Sequence, residues 1–128
     1  MKRIAATLLI LIAWSGAVLG QSLRSEDFTL VGADGTYLGC FTKNKYDSES
    51  IFNEYGTYGS KYSGNSIWND YGQYGSKYSN LSAFNTYASE PPLILYRGQP
   101  FGRLTLNRYL QDAVNPFSFV MFLRDKTY

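Results

Sequence analysis

The sequence predicts an all-β domain in which tandem β-hairpin repeats form a small curved sheet or a shallow barrel, with a short C-terminal helix or strand. Three observations lead to this prediction. A short unit is repeated in tandem, aromatic and polar residues alternate within it, and glycines stand where turns between short strands would fall. We expect one such domain at residues 21–128, preceded by a separate N-terminal segment.

Residues 1–20 have the pattern of a secretory signal peptide. Positive charges at Lys2 and Arg3 precede an uncharged apolar run that ends near Gly20. We expect cleavage after Gly20, a secreted or periplasmic protein and no stable transmembrane anchor; an uncleaved anchor is the alternative. Loss of Lys2 and Arg3 cancels the net charge of +2, which argues against a nucleic-acid partner.

The tandem repeat at residues 50–65 and 66–81 is the strongest signal in the chain. Both copies open with the pattern Ser-Ile-(Phe/Trp)-Asn-x-Tyr-Gly-x-Tyr-Gly-Ser-Lys-Tyr-Ser, and a partial third copy occupies residues 82–89. A duplicated structural unit therefore underlies this region. Gly59 and Gly75 take the same place in the two copies and indicate a bulge or a close backbone approach.

Each full copy is long enough for two short strands and two turns. We therefore expect hairpins at residues 50–63 and 66–79. Strand alternation would then place Tyr58 and Tyr62 on one face and Lys61 on the other. The alternative is a single helical turn, capped by the serine that opens each copy and ended by a glycine.

A second, fainter duplication flanks the repeats at residues 28–46 and 92–109. In both segments an apolar stretch precedes two glycines four residues apart, which are followed by Thr, Asn, a basic residue and Tyr. This order predicts related hairpins at residues 28–43 and 92–107, the first of them with its turn at residues 33–35.

The segment from Asn115 to Lys126 is apolar and aromatic and belongs to the core. Asn115 as an N-cap and Pro116 as the first helical residue favour a short closing helix. A buried strand is the alternative, because the aromatic and Val content suits a strand almost as well.

The residue inventory makes most enzyme classes improbable. The chain contains no histidine and a single cysteine, Cys40, so it lacks the groups of the common nucleophile systems and of most transition-metal sites. We expect no catalytic residue, no metal and no cofactor. Cys40 is either a buried, inert thiol or a site of intermolecular pairing. An envelope hydrolase that uses Asp or Glu side chains is an alternative.

Aromatic side chains provide the candidate binding surface. Eight of the twelve tyrosines lie within residues 45–89, where Phe52, Trp68 and Phe84 recur at the same position of successive copies. These three rings are expected to form a ladder in the core, whereas the tyrosines could be core or surface. The candidate contact residues are Trp68, Tyr58, Tyr62, Tyr74 and Tyr78.

The repeat motif, with the later Gly-x-Leu-Thr-x-Asn-Arg-Tyr segment, resembles a family of uncharacterised secreted bacterial proteins with tandem repeats. The resemblance covers about residues 30–110. It implies export and repetition but supplies no activity and no site. The strand–glycine–strand units are also similar to shallow hairpin-repeat barrels of the β-flower type, in architecture alone.

These observations together favour an exported, noncatalytic binding or envelope-associated module, with the aromatic repeats as its contact surface. Its ligand would be a cell-envelope glycan or another exported protein. The alternative is a structural protein whose aromatic repeats pair between chains.

Overall fold

The computed structural model describes residues 23–125, and the predicted signal at residues 1–20 lies outside this range. A short 3-10 helix, Ser25–Asp27, precedes the first strand. The remaining regular elements are β1 Phe28–Val31, β2 Tyr37–Cys40, β3 Leu93–Tyr96, β4 Gln99–Leu104, β5 Ala113–Val114 and α1 Pro116–Asp125. Among the described residues, the regular secondary structure is therefore mainly strand.

The five strands form one open, mixed sheet with the order β2-β1-β3-β4-β5. β1 pairs antiparallel with β2, and β3 pairs antiparallel with β4. β1 also aligns antiparallel with β3, which joins the two strand pairs, whereas β5 lies parallel to β4. The flanking segments 28–43 and 92–107 thus supply most of the sheet, and the sheet does not close into the predicted barrel.

One hydrophobic core lies between the sheet, the helix and the central repeats. Phe28 and Leu38 from the sheet and Ile51 and Ile67 from the repeats are each at most 1% exposed. Phe119 of α1 packs edge-on against Phe28, with ring centroids 5.2 Å apart. Each such burial contributes about 1.5–3 kcal/mol, so the repeats depend on the sheet for their stability.

The central segment does not form hairpins. Residues 51–92, all of which the structure describes, contain neither strand nor helix, so the predicted hairpins at residues 50–63 and 66–79 are wrong and so is the helical alternative. The backbone instead forms successive turns, in which an N–H donates to the carbonyl three residues earlier. Asn53 donates to Ser50 at 3.2 Å, and Asn69 donates to Ser66 at 3.4 Å.

Side-chain acceptors at the start of these turns explain why strands do not form. The Ser66 hydroxyl accepts from the Trp68 N–H at 3.0 Å, and the side-chain amide oxygen of Asn69 accepts from the Tyr71 N–H at 3.0 Å. Such bonds offer the backbone a local partner in place of a neighbouring strand. Since a Ser or Asn recurs about every third residue here, the local bonds determine the conformation.

The predicted alternation of faces is also wrong, because the turns do not follow a period of two. Tyr62 and Lys61 are both exposed, whereas Tyr58 is half-buried. The Tyr58 ring packs edge-on against Tyr37 of β2, with centroids 5.2 Å apart.

Successive copies of the repeat lie against one another. The indole N–H of Trp68 donates to the carbonyl of Ile51 at 2.7 Å, and the Trp68 and Phe84 rings have centroids 5.8 Å apart. Phe52, Trp68 and Phe84 pack against the core but are only partly buried. The prediction that these rings form a ladder inside the core is therefore wrong: each has one side towards the surface, and the Phe52 ring contacts Phe41 at a centroid distance of 6.5 Å.

One glycine in each copy, Gly59 or Gly75, allows the backbone to turn back on itself. A Cβ at Gly59 would lie 2.1 Å from the carbonyl oxygen of Asn53, and a Cβ at Gly75 would lie 2.3 Å from that of Asn69. The predicted close backbone approach is confirmed at both positions.

The C-terminal segment forms the predicted helix. The Asn115 side chain accepts from the Phe117 N–H at 2.8 Å and from the Ser118 N–H at 3.2 Å, as an N-cap does. Phe119 and Leu123 are buried against the sheet, while Phe117 contacts Phe84 of the repeats. In the described part of the chain, no helix has the length and hydropathy needed to span a bilayer.

Candidate binding surface

Two rows of exposed tyrosines run along the repeats. Tyr55, Tyr71 and Tyr87 form one row, with one member from each copy, and each follows an Asn-x pair whose asparagine fixes the turn. Tyr62, Tyr78 and Tyr109 form the other row and follow Ser-Lys or Asn-Arg pairs. All six side chains are between 82% and 97% exposed.

A cleft of about 530 Å³, here called cleft 1, opens between the first members of the two rows. Tyr55 and Tyr62 form its walls, and Phe52 and Trp68 present ring surface inside it. Its charged groups are Glu54 and Lys61. The full lining is Ile51, Phe52, Glu54, Tyr55, Gly59, Lys61, Tyr62 and Trp68.

A second cleft of about 760 Å³, cleft 2, repeats this arrangement one copy later. Tyr71 and Tyr78 replace Tyr55 and Tyr62 as walls, and its charged groups are Asp70 and Lys77. Trp68 lines both clefts, so the two are contiguous. The full lining is Ile67, Trp68, Asp70, Tyr71, Gly75, Ser76, Lys77, Tyr78, Phe84, Leu106 and Phe117.

A third cleft of about 560 Å³, cleft 3, is assembled from the segments before and after the β3–β4 pair. The partial third copy supplies Tyr87, and the segment after β4 supplies Tyr109 and Arg108. Leu106 lines both cleft 2 and cleft 3. The full lining is Thr86, Tyr87, Thr105, Leu106, Arg108, Tyr109, Ala113 and Asn115.

The fainter sequence duplication explains how the segment after β4 substitutes for a repeat. The Thr105 hydroxyl accepts from the Asn107 N–H at 2.9 Å, and the Asn107 side chain accepts from the Tyr109 N–H at 3.1 Å. Asn107 also donates from its amide to the Ala88 carbonyl at 2.8 Å, which ties this segment to the third copy. The Thr-x-Asn-x-Tyr motif therefore places a tyrosine where the next copy would have placed one.

A basic side chain lies over one tyrosine in each cleft. The Lys61 ammonium is 5.7 Å from the Tyr62 ring centroid, and the Lys77 ammonium is 5.9 Å from that of Tyr78. The Arg108 guanidinium lies 5.9 Å from the Tyr109 centroid. Each such contact contributes about 0.5–1 kcal/mol at an exposed site and restricts the motion of both side chains.

No protein family, curated protein or solved structure matches this chain. The chemistry of the clefts therefore carries the functional interpretation.

The five candidate contact residues predicted from the sequence fall into two groups. Trp68, Tyr62 and Tyr78 line clefts 1 and 2. Tyr58 is half-buried against Tyr37, and Tyr74 is only 4% exposed, so both support the fold beneath the clefts.

Tyr74 is held by a carboxylate at the end of the first hairpin turn. Its hydroxyl donates to Asp34 at 2.7 Å. This bond, with a second from the Thr36 N–H, lowers the pKa of Asp34, and burial raises the pKa of Tyr74. Tyr37 is fixed similarly, since burial and a 2.8 Å bond to Glu49 raise its pKa.

Four of the six wall tyrosines were not predicted from the sequence. Tyr55, Tyr71 and Tyr87 share the motif Asn-x-Tyr, and Tyr109 shares it too. An asparagine two residues before a tyrosine predicts an Asx-turn, which directs the tyrosine outward on a bend. That motif was the available signal, and the assumption of strands concealed it.

Neither a metal centre nor a reactive thiol accompanies the clefts. The described residues contain no group of three or more side chains able to hold a metal ion. Cys40 is a half-buried free cysteine, and burial raises the pKa of its thiol, which disfavours the reactive thiolate.

Proposed function

We propose that this protein is an exported, noncatalytic carbohydrate-binding module whose ligand lies in the tyrosine-walled clefts. The observation that carries the proposal is that exposed tyrosines and partly buried aromatic rings line the same clefts.

The wall tyrosines do little for the fold. Tyr71 is 97% exposed, and it is the backbone N–H of this residue, not its ring, that bonds to the Asn69 side chain. Many residues could supply that N–H, yet the same ring recurs at Tyr55 and Tyr87. Contiguous exposed aromatic surface of this kind marks interaction sites.

Sugar rings suit the chemistry of these clefts. A pyranose presents C–H groups on its faces, which pack on aromatic rings, and hydroxyl groups at its edge, which need hydrogen-bond partners. Trp68 and Phe84 offer ring surface in cleft 2, while Asp70 and Lys77 offer an acceptor and a donor. Tyrosine hydroxyls at the rim can do both.

The placement of acidic groups supports binding without hydrolysis. Glycoside hydrolysis ordinarily requires two carboxyl groups on either side of one bond. Cleft 1 contains one acidic residue, Glu54, and cleft 2 contains one, Asp70. Each shares its cleft with a lysine rather than with a second acid.

Replacement of one wall tyrosine tests the proposal. We expect Tyr71→Ala to weaken binding of neutral oligosaccharides, such as chitin or cellulose fragments, by about tenfold or more in calorimetric titration, because a central aromatic contact is lost. Tyr46→Ala is the matched control. Tyr46 is 82% exposed beneath Lys45 in the same manner as Tyr62, but it lines none of the three clefts.

Two results would overturn the proposal. One is equal loss of binding in the Tyr71 and Tyr46 variants, which would indicate nonspecific adhesion. The other is the absence of binding to any carbohydrate, together with concentration-dependent oligomers in sedimentation that Tyr71→Ala abolishes. That second result would identify the tyrosine rows as an assembly surface.

A further inference from the structure

We infer that clefts 1, 2 and 3 are consecutive subsites of one groove, and that the groove binds a single linear glycan of neutral repeating units. This inference rests on the proposed function and adds the form and charge of the ligand.

The first reason is the repetition of the clefts themselves. Equivalent residues of the two copies take the same place in clefts 1 and 2: Tyr55 and Tyr71 as walls, Lys61 and Lys77 as donors. A ligand that makes the same contacts in successive clefts must itself repeat. A linear polysaccharide does so, whereas a single small molecule would use one cleft and leave its copies without a role.

The second reason is that neighbouring clefts are adjacent and share a lining side chain. Trp68 lines clefts 1 and 2, and Leu106 lines clefts 2 and 3. The Trp68 and Phe84 rings follow one another with centroids 5.8 Å apart. A chain that leaves one cleft therefore enters the next over a shared side chain.

The third reason is charge. Cleft 1 pairs Glu54 with Lys61, and cleft 2 pairs Asp70 with Lys77, so neither carries a net charge. A polyanionic chain would meet a carboxylate in both clefts, and a polycationic chain would meet a lysine in both. Neutral sugar units fit both, since their hydroxyl groups donate to one partner and accept from the other.

Cleft 3, the last of the three clefts, differs in charge from clefts 1 and 2. Thr86 takes the place of Glu54 and Asp70, while Arg108 takes the place of the lysines. Hydroxyl groups can accept from Arg108 as readily as from a lysine, so neutral units still fit there. The two tyrosine walls, Tyr87 and Tyr109, are retained.

Calorimetric titration with a length series tests the inference. Chitin and cellulose oligosaccharides, from the monosaccharide upward, serve as probes, with oligogalacturonate as the polyanionic comparison. We expect affinity to rise at least about tenfold with chain length and then to level off, because contacts in later clefts form within one complex. The number of ligands bound per protein should fall from several for short oligosaccharides to one for long ones.

Variants of the three equivalent walls refine the test. Tyr55→Ala, Tyr71→Ala and Tyr87→Ala should each lower the affinity for long oligosaccharides, and Tyr55→Ala and Tyr87→Ala should shorten the length at which affinity levels off. Oligogalacturonate should bind at least about tenfold more weakly than the neutral series.

The outcomes separate the inference from the proposed function. Binding that is independent of chain length, or that only one of the three tyrosines affects, would overturn the continuous groove while leaving a carbohydrate-binding cleft. Tighter binding of oligogalacturonate would overturn the neutral ligand. Absence of binding at every length would overturn the proposed function and this inference together.

Discussion

Among single residues, Tyr74 shows how one repeat position acquires a different role from its copy. Tyr58 and Tyr74 stand at equivalent positions of the two copies. Tyr58 packs against the Tyr37 ring, whereas Tyr74 lies beneath the first hairpin turn and donates to Asp34 at 2.7 Å. The difference comes from which part of the sheet lies opposite each copy, and the repeat sequence contains no information about that.

The Tyr74–Asp34 bond predicts a stability change with pH. The pKa of Asp34 is lower in the folded protein than the unfolded value of about 3.9, so the stabilisation is complete above that pH and is lost as the pH falls through the lower folded pKa. We expect Tyr74→Phe to cost about 1 kcal/mol of unfolding free energy at pH 7 and less near pH 2.5, measured by urea denaturation.

At alkaline pH, the contribution of Tyr74 to stability falls as the pH rises, opposite to the acid dependence of Asp34. The pKa of Tyr74 is raised in the fold, so its contribution is complete below the unfolded value of about 10 and is lost above it.

Asp34→Asn provides the control for the acid prediction, since in the Asp34→Asn protein the effect of Tyr74→Phe should no longer change between pH 7 and pH 2.5. The same acid dependence in both backgrounds would contradict the assignment.

At the level of elements, the central repeats show why strands, with their side-chain period of two, were the wrong prediction. Aromatic residues and glycines predict strands by propensity, but Ser66, Asn69 and their equivalents bond to the backbone two residues ahead. These local bonds override the propensity. By contrast, the segments that became β1–β2 and β3–β4 contain apolar runs without such closely spaced acceptors, and their strands were predictable from the sequence.

The succession of turns at residues 51–92, here called the turn run, depends on Gly59 and Gly75. Gly59→Ala would put a methyl group 2.1 Å from the Asn53 carbonyl oxygen, so we expect a loss of about 1–3 kcal/mol in denaturant unfolding. Gly64→Ala is the control, because no atom lies within 4 Å of a Cβ there. Its effect should be within about 0.5 kcal/mol. Similar losses in the two variants would show that the close approach is not limiting.

For the whole molecule, helix α1, the sheet and the turns at residues 51–92 share one core. Phe119 contacts Phe28 and Phe41 at centroid distances of 5.2 and 5.1 Å, and Phe117 contacts Phe84 of the repeats at 5.4 Å. A run of turns without strand pairing has little stability of its own, so it persists because its Ile and Ala side chains enter this shared core.

Coupling of this kind predicts a single unfolding transition. In protein that lacks the segment 1–20, Trp68 is the one tryptophan, so its fluorescence reports on the turn run. We expect its denaturation midpoint to coincide with that of far-ultraviolet circular dichroism, which reports on the sheet and α1. An earlier midpoint for Trp68 would mean that the repeats unfold as a separate unit.

The sequence by itself determined the repeat, the two strand pairs, the capped helix and the need for glycine at two close approaches. Each of these depends on neighbours within a few residues, which the sequence lists directly. Only the tertiary structure decided which tyrosines are buried and which form walls, because that depends on the strand packed behind each copy. It also decided that Tyr109 completes cleft 3, since the pairing of β3 with β4 returns the chain to the third copy, where the Asn107 side chain donates to the Ala88 carbonyl.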